Sequence, residues 1–581
     1  MASTDATNNP PRPPSGVEYA DAAAERQLAD ARVDFARPND AWRRVKHNVS
    51  RTVYTGEAAG SSLYLKHFHP RSAWGRFRRR LGWSDARREL RLSRRLREAN
   101  VPAPRVLAAG AANGVEWAVS EAVENAEPAD VWHARQLAAG PAGRRAIRRG
   151  VRALAKTLAS MHAAGVVHHD LHCGNLLVRE SKRRIEFVVM DLHRARRRPA
   201  GRRARAANLA QLLHDRRDYT TRAERLRFLR AYLKAAGLSG LRGWNGLIER
   251  LARAHTARQF GKRDRRILRT NRYFARLGLG GGWRGHVALK IKHPPRGSRA
   301  ARLSHTKEEW RQALSDPESL LAEGPGVQVV KDSRTSRVVR RKLAVGRDVL
   351  DVYVKQSRRK LKWKVLIDCF RRGRGLRAFR LGHMLLTRRI ATAVPLAGLD
   401  RRRGPFLLGT ISVTEAVDAP QLNSFVETHL GHRGAEPKLD PPQRRELAGA
   451  VLTQLGRLLQ RLHDHGFAHR DLKSPNLLVR WDGGEEPLIV LIDLDGLRRV
   501  RFLTTRRRFQ GLMRLNVSLL KCPVVTHAGR LRMLLGYLRR PGCGRIHYKP
   551  YWRVLEVWSA RKLSDQIRSR QRQQKALRRP T

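Results

Sequence analysis

Acidic residues are scarce in this chain. Across 581 residues, 50 Asp and Glu stand against 120 Lys and Arg, for a formal net charge of +70. Such an excess repels itself unless anions are close. It points to partners among nucleotide phosphates, nucleic acid, an anionic membrane surface or an anionic glycolipid, although generous arginine on solvated faces explains part of it. Cysteine is nearly absent. Cys173, Cys369, Cys522 and Cys543 form no CxxC pair, which excludes a disulfide scaffold or a Cys-rich zinc site and fits reduced thiols. Aromatics make up 6% of residues and are not interleaved with the arginines, which argues against single-strand stacking platforms and against nucleic acid as a partner. No apolar run approaches the ~20 residues of a membrane span. Met1 to Gly16 is polar and proline-rich, unlike a secretion leader.

What the chain does have is one short stretch twice. The first copy runs His168-His169-Asp170-Leu171-His172-Cys173-Gly174-Asn175. The second runs His469-Arg470-Asp471-Leu472-Lys473-Ser474-Pro475-Asn476. An apolar run ending in aspartate follows each, closing at Asp191 and at Asp493. Asp and Asn are five residues apart in both copies, and the two leading aspartates are 301 residues apart. The surroundings repeat as well. A hairpin is predicted from Ser50–Tyr54 and Ser62–Lys66, with Gly56 and Gly60 in its turn, and the second half has its counterpart ending at Lys355. Helices are predicted at 85–99, 144–163 and 377–392, and a further one after Pro442; the long ones carry apolar residues at intervals of three and four. The order strand, lysine, helix, strand, long helix, loop, strand, aspartate is therefore duplicated. The expected division is a tail over 1–35, a first domain over 36–277, a linker or start of the second unit over 278–326, a second domain over 327–558 and a basic tail over 559–581.

These residue types at these spacings suit phosphoryl transfer, which consists mainly of positioning and charge neutralisation. An Asp must take or orient the acceptor hydroxyl's proton. An Asn shortly after it, with an Asp at a strand end, must hold Mg2+ against phosphate. A Lys must neutralise the nucleotide, itself fixed by a Glu. The first half fills every role, with Lys66, Glu89, Asp170, Asn175 and Asp191. The second half offers Lys355, Asp471, Asn476 and Asp493 but no matching Glu. Aligning Thr387-Arg388-Arg389-Ile390 with Ser93-Arg94-Arg95-Leu96 puts His383 at the place of Glu89. Asp495 reads as part of a turn after the strand. His168 and His469 read as imidazoles bonded to backbone rather than as catalysts. Lys473 and His172 lie two residues beyond the catalytic Asp, where transition-state charge develops.

The whole set resembles the protein-kinase-like superfamily, and more narrowly the lipopolysaccharide kinase (Kdo/WaaP) family. The narrow match rests on Ser50-Arg51-Thr52-Val53-Tyr54, Arg88-Glu89-Leu90 with Val101-Pro102-Ala103-Pro104, Asp170 to Asn175, and Leu226 to Tyr232. In the second half it rests on Arg461 to Gly466, Asp471 to Asn476 and Arg530-Leu531-Arg532. The resemblance implies an α+β fold of two tandem bilobal units, each with a small antiparallel-sheet N-lobe and a larger helical C-lobe. It implies Mg-ATP-dependent phosphorylation of a heptose or Kdo hydroxyl in the lipopolysaccharide inner core, with ATP and Mg2+ bound. It places the protein in the cytoplasm, peripheral on the inner face of the membrane. Two departures stand out. The family ordinarily has one unit, and Asp471-Leu472-Lys473-Ser474-Pro475-Asn476 looks more like a protein Ser/Thr kinase loop. A protein Ser/Thr kinase, and a non-catalytic basic scaffold or nucleic-acid binder, are the alternatives. Neither half has an Ala-Pro-Glu element or a clear GxGxxG loop, which weighs against the protein kinase.

Overall fold

Alternating burial builds the first lysine strand. In Ser61–Phe68 the side chains of Leu63 and Leu65 are fully buried, while Tyr64 between them is exposed. The computed structural model describes residues 17–29, 34–48, 50–58, 60–69, 77, 83–112, 114–181, 184–216, 219–358, 371–431, 439–484, 486–539 and 546–577. The expected tail before Val17, as well as Cys369 and Cys543, lies outside them. The chain divides into two units, Met1–Ala257 and Arg258–Thr581, with the division inside the helix Leu241–Arg266.

The first unit has a six-stranded antiparallel sheet in the order Glu18–Tyr19, Val106–Ala112, Val115–Glu121, Ser61–Phe68, Arg51–Ala58, Arg43–Asn48. Two of its strands differ from expectation. Residues 18–29, expected as tail, supply an edge strand and the helix Ala22–Ala29, whose Ala24 and Leu28 enter the sheet's core. Gly56 lies within a strand rather than in the turn, which Gly60 makes at φ 71°. The indole of Trp42 covers Gly56 so closely that a Cβ there would lie 2.8 Å from the ring. Below the sheet, the helix Gly140–Ala163 packs on Arg222–Ala235 and carries the strand Val166–His168 into the duplicated loop.

The second unit repeats this plan with a larger sheet. Seven strands run in the order Phe274–Gly278, Trp283–Ala288, Pro395–Arg403, Phe406–Glu415, Asp348–Ser357, Ser336–Val345, Gln328–Ser333. The stretch 278–326 is thus partly sheet, and the capped helix Lys307–Ala313 buries Trp310 beside it. The helix after it covers Arg374–Thr387, shorter at its end than expected because Arg389 turns left-handed at φ 56° and Ile390 N–H bonds back to Leu385 O. Pro441–Asp464 begins with a capping box at Asp440 and packs on His527–Leu538. The basic end of the chain forms a helix, Lys549–Leu577. No helix among the described residues is long and apolar enough to cross a membrane.

Each helical lobe is pinned by the same buried pair. The His162 ring meets the Tyr232 hydroxyl at 2.7 Å, and the His463 ring meets the Tyr537 hydroxyl at 2.9 Å. Burial lowers His162 to about 4 and His463 to about 3, whereas an unfolded histidine titrates near ~6.5. Above that pH neither folded nor unfolded chain binds the proton. Below it the unfolded chain takes protons that the folded chain refuses, so stability falls with falling pH down to about 4 and 3. The expected slope is ~1.4 kcal/mol per pH unit for each ring. Urea unfolding from pH 7 to pH 4.5 checks it. Replacing His162 and His463 by Gln should flatten the dependence.

Candidate active site

Two loops and one strand bring the first site together. After the strand Val166–His168, the chain turns through Asp170 into a short 3-10 helix, Cys173–Asn175. His168 locks this turn from inside. Its Nε2 donates to Met190 O at 3.0 Å, and its Nδ1 accepts from Asp170 N–H at 3.2 Å. That arrangement requires the neutral ring, and burial lowers its proton affinity accordingly. Asn175 Nδ2 donates to Asp170 O at 2.9 Å, and Met190 N–H donates to Asn175 O at 2.9 Å. Asp170, Asn175 and the residue before Asp191 therefore form one hydrogen-bonded unit. The carboxylate of Asp170 itself is exposed.

Lys66 reaches this unit from the sheet. Its Nζ lies 2.5 Å from Glu89 Oε1 and 3.6 Å from Asp191 Oδ1. The Lys66 and Glu89 side chains are 11% and 3% exposed, so the charges are held by each other rather than by water. Burial alone would lower the lysine's proton affinity, but Glu89 and Asp191 outweigh it and raise it. Asp191 stands at φ 54°, in the left-handed region. Arg51 clamps both its oxygens, each at 2.8 Å. Burial works against this carboxylate, yet Lys66 and Arg51 hold it well below the usual range. The sequence pattern did not mark Arg51 as part of the site. Strand register explains it, because Arg51 faces Phe68 at the same end of the hairpin as Lys66. His193, two residues after Asp191, is buried with its Nδ1 3.8 Å from Glu89 Oε2, and burial lowers it to about 3, so it is neutral.

The second site has the same frame with different pairings. His469 Nε2 donates to Asp493 O at 2.6 Å and Nδ1 accepts from Asp471 N–H at 3.2 Å. Asn476 Nδ2 donates to Asp471 O at 2.8 Å, and Ile492 N–H to Asn476 O at 3.1 Å. Lys355 lies 3.2 Å from Asp493 and 2.7 Å from Asp495. Asp495 is therefore the lysine's partner, not merely part of a turn. Lys473 pairs with Asp471 at 2.9 Å. Ser336 takes the register position of Arg51, so among the described residues Asp493 has no such clamp.

His383 does not stand where Glu89 stands. Both helices end on a left-handed residue, Asn100 and Arg389, and both close with the same bond, Val101 N–H to Leu96 O and Ile390 N–H to Leu385 O. This pairs positions 289 residues apart, the same offset that separates Lys66 from Lys355. Ala378 is then the counterpart of Glu89. His383 points elsewhere, donating from Nε2 to Pro395 O at 2.8 Å and packing on Phe274 and Phe379.

The donor sets suit a hard cation. Each Asn uses its amide N–H2 on the loop, which leaves Oδ1 to accept, and each Asp presents oxygens that keep further lone pairs. Among the described residues no cluster of three or more His, Cys, Asp or Glu could hold a metal by side chains alone. An Asn–Asp pair is the set that a phosphate-bridged Mg2+ completes.

The family model of the Lipopolysaccharide kinase (Kdo/WaaP) family matches residues 40–232 and again 325–537. The chain is similar to a solved structure of WaaP in complex with acyl carrier protein, at 28% identity, covering 36% of this chain and 88% of that one, with a TM-score of 0.30. It is also similar to the Mycobacterium tuberculosis PknI kinase domain, at 18% identity, covering 38% of this chain and all of that one, with a TM-score of 0.24. No curated protein matches.

Removing one member of the buried pair should cost more than removing both. Lys66→Met leaves Glu89 charged and buried, at an expected cost on the order of 3–5 kcal/mol. Adding Glu89→Gln should recover much of that. Urea unfolding of the three proteins measures the difference. Equal stabilities for the single and double variants would show that the pair is not buried as described.

Proposed function

Because the chain belongs to the lipopolysaccharide kinase (Kdo/WaaP) family, a family of phosphotransferases acting on sugar hydroxyls, we propose that it phosphorylates heptose or Kdo in the lipopolysaccharide inner core from ATP, with Mg2+ as cofactor. One observation carries this reading for the individual residues. Asp170, Asn175 and the strand entering Asp191 are hydrogen-bonded into one loop unit, with the Lys66–Glu89 pair directed at Asp191.

The roles follow from chemistry. Lys66, fixed by Glu89, neutralises the nucleotide's phosphates. Asn175 and Asp191 would hold Mg2+, which when bound offsets the charge of the phosphate oxygens. Asp170, exposed at the mouth of the loop, orients the acceptor hydroxyl and takes its proton. It serves by position, since the loop bonds fix its backbone on both sides. Lys355, Asp471, Asn476 and Asp493 take the same roles in the second unit. The positive charge of +70 suits an acceptor embedded in an anionic surface, where each well-placed cation contributes ~1 kcal/mol. On this reading the protein works at the inner face of the cytoplasmic membrane.

The Lys473–Asp471 contact at 2.9 Å supports a second reading for the second unit, that of a protein Ser/Thr kinase. A lysine two residues after the loop aspartate, in Asp471-Leu472-Lys473-Ser474-Pro475-Asn476, resembles a protein Ser/Thr kinase loop more than a sugar-kinase loop. The two readings separate on acceptor. Labelled γ-phosphate from ATP should appear on lipopolysaccharide core, and Asp170→Asn should lower transfer at least ~100-fold at the first unit. Label on protein and none on glycolipid would favour the second reading. Undiminished transfer in the Asp170→Asn, Asp471→Asn double variant would sink both.

A further inference from the structure

We propose that in the second unit the acid that positions the nucleotide-binding lysine has moved from the helix to the loop, and that Asp495 does there what Glu89 does in the first unit. This rests on the reading of both units as Mg-nucleotide sites, and it names a positioning residue that lies outside the duplicated loop.

Two correspondences fix the exchange. The helix register pairs Glu89 with Ala378, so the second helix presents a methyl group where the first presents a carboxylate. The loop register pairs His193 with Asp495, since each lies two residues after its strand-end aspartate. An independent contact confirms the second pairing. Arg88 of the first helix donates to His193 O at 3.3 Å, and Arg377 of the second donates to Asp495 O at 3.4 Å. Arg88 and Arg377 are themselves 289 residues apart, the offset of the two lysines. Helix and loop thus meet the same way in both units. Only the side that carries the acid differs.

The exchange answers a physical need. Lys355 is three-quarters buried and would otherwise have Asp493 as its one partner among the described residues. A cation bound at Asp493 competes for that carboxylate. Asp495, at 2.7 Å, keeps Lys355 in place while Asp493 serves the metal, as Glu89 keeps Lys66 in place while Asp191 does. Asp495 N–H also donates to Asp493 Oδ1 at 3.1 Å, so lysine anchor and metal ligand belong to one rigid turn. The mechanical consequence differs between the units. In the first, the acid nearest the lysine comes from the helix Asp85–Glu98 and reaches it when that helix is docked. In the second, the acid comes from the loop, and the helix Arg374–Thr387 meets that loop through Arg377 without supplying a carboxylate.

The test uses Mg-dependent binding of ADP to the full chain, measured by calorimetry with and without Mg2+. Asp191→Asn removes the first unit's Mg-dependent signal, so the remainder belongs to the second. In that background Asp495→Asn should weaken Mg-ADP binding about tenfold or more. Asp495→Glu should stay within about threefold. Adding Ala378→Glu to Asp495→Asn should restore binding to within about threefold, because it rebuilds the first unit's arrangement, whereas His383→Glu should restore nothing. A merely structural role for Asp495 would not be rescued from the helix. Unchanged binding in Asp495→Asn, or rescue by His383→Glu instead of Ala378→Glu, overturns the proposal. Absence of Mg-dependent binding in the Asp191→Asn chain itself overturns the reading of the second unit as a nucleotide site, and the proposal with it.

Discussion

A lysine ammonium withdrawn from water needs a carboxylate, because leaving a buried charge unpaired costs on the order of 3–5 kcal/mol, a large share of a domain's stability. Lys66 sits mid-sheet, between Val53 and Ala118, in a strand whose neighbours Leu63 and Leu65 are fully buried. The helix Asp85–Glu98, the Arg51 clamp and the strand end at Asp191 all converge on that one cation. Lys355 imposes the same demand between Val338 and Ser412. The two units satisfy it differently, and much of what distinguishes them follows from that difference.

The charge balance around each lysine shows the consequence. In the first unit Lys66 and Arg51 face Glu89 and Asp191, so the group is neutral, and His193 beside it is kept neutral by burial. In the second unit Lys355 faces Asp493 and Asp495, with Ser336 in place of the arginine. That group carries one net negative charge. Asp493 also does without the left-handed backbone that Asp191 adopts. The lack of a helix glutamate does not leave Lys355 without an acid, because Asp495 lies 2.7 Å from it.

Around these differences the scaffold is repeated closely. His168 and His469 accept from the same backbone N–H, that of Asp170 and of Asp471, and each donates to a carbonyl at the strand end, Met190 O in the first unit and, one position further on, Asp493 O in the second. Asn175 and Asn476 cross the loop to the same carbonyls. The pairs His162–Tyr232 and His463–Tyr537 pin the same helices. A buried polar network tolerates little substitution, since each half-satisfied member leaves an unpaired group. The loop networks are alike in the two halves, whereas the acid nearest the lysine lies on a helix in the first and on the loop in the second. That acid needs only to bring a carboxylate within reach of one ammonium, which more than one backbone position can do.

The duplicated loops, the strand-end aspartates, both lysines and Glu89 were legible in the amino-acid sequence because their spacing is local. Asp and Asn five residues apart share one loop whatever surrounds it, and an apolar run sets the following aspartate at a strand end. The family, the two-unit arrangement and the α+β class came from the same local signals. Register was not legible. Matching arginine-rich strings placed His383 opposite Glu89, whereas the left-handed helix ends at Asn100 and Arg389 place Ala378 there. Arg51 is 140 residues from Asp191 and meets it only through strand pairing. Asp495 is two residues from Asp493, yet its meaning depends on a lysine 140 residues away in the chain. Sequence by itself determined which groups each unit possesses, since local spacing is written in the chain. Tertiary structure alone decided which acid holds which lysine, since a charge pair is set by distance in space and helix register, and neither can be read along the chain.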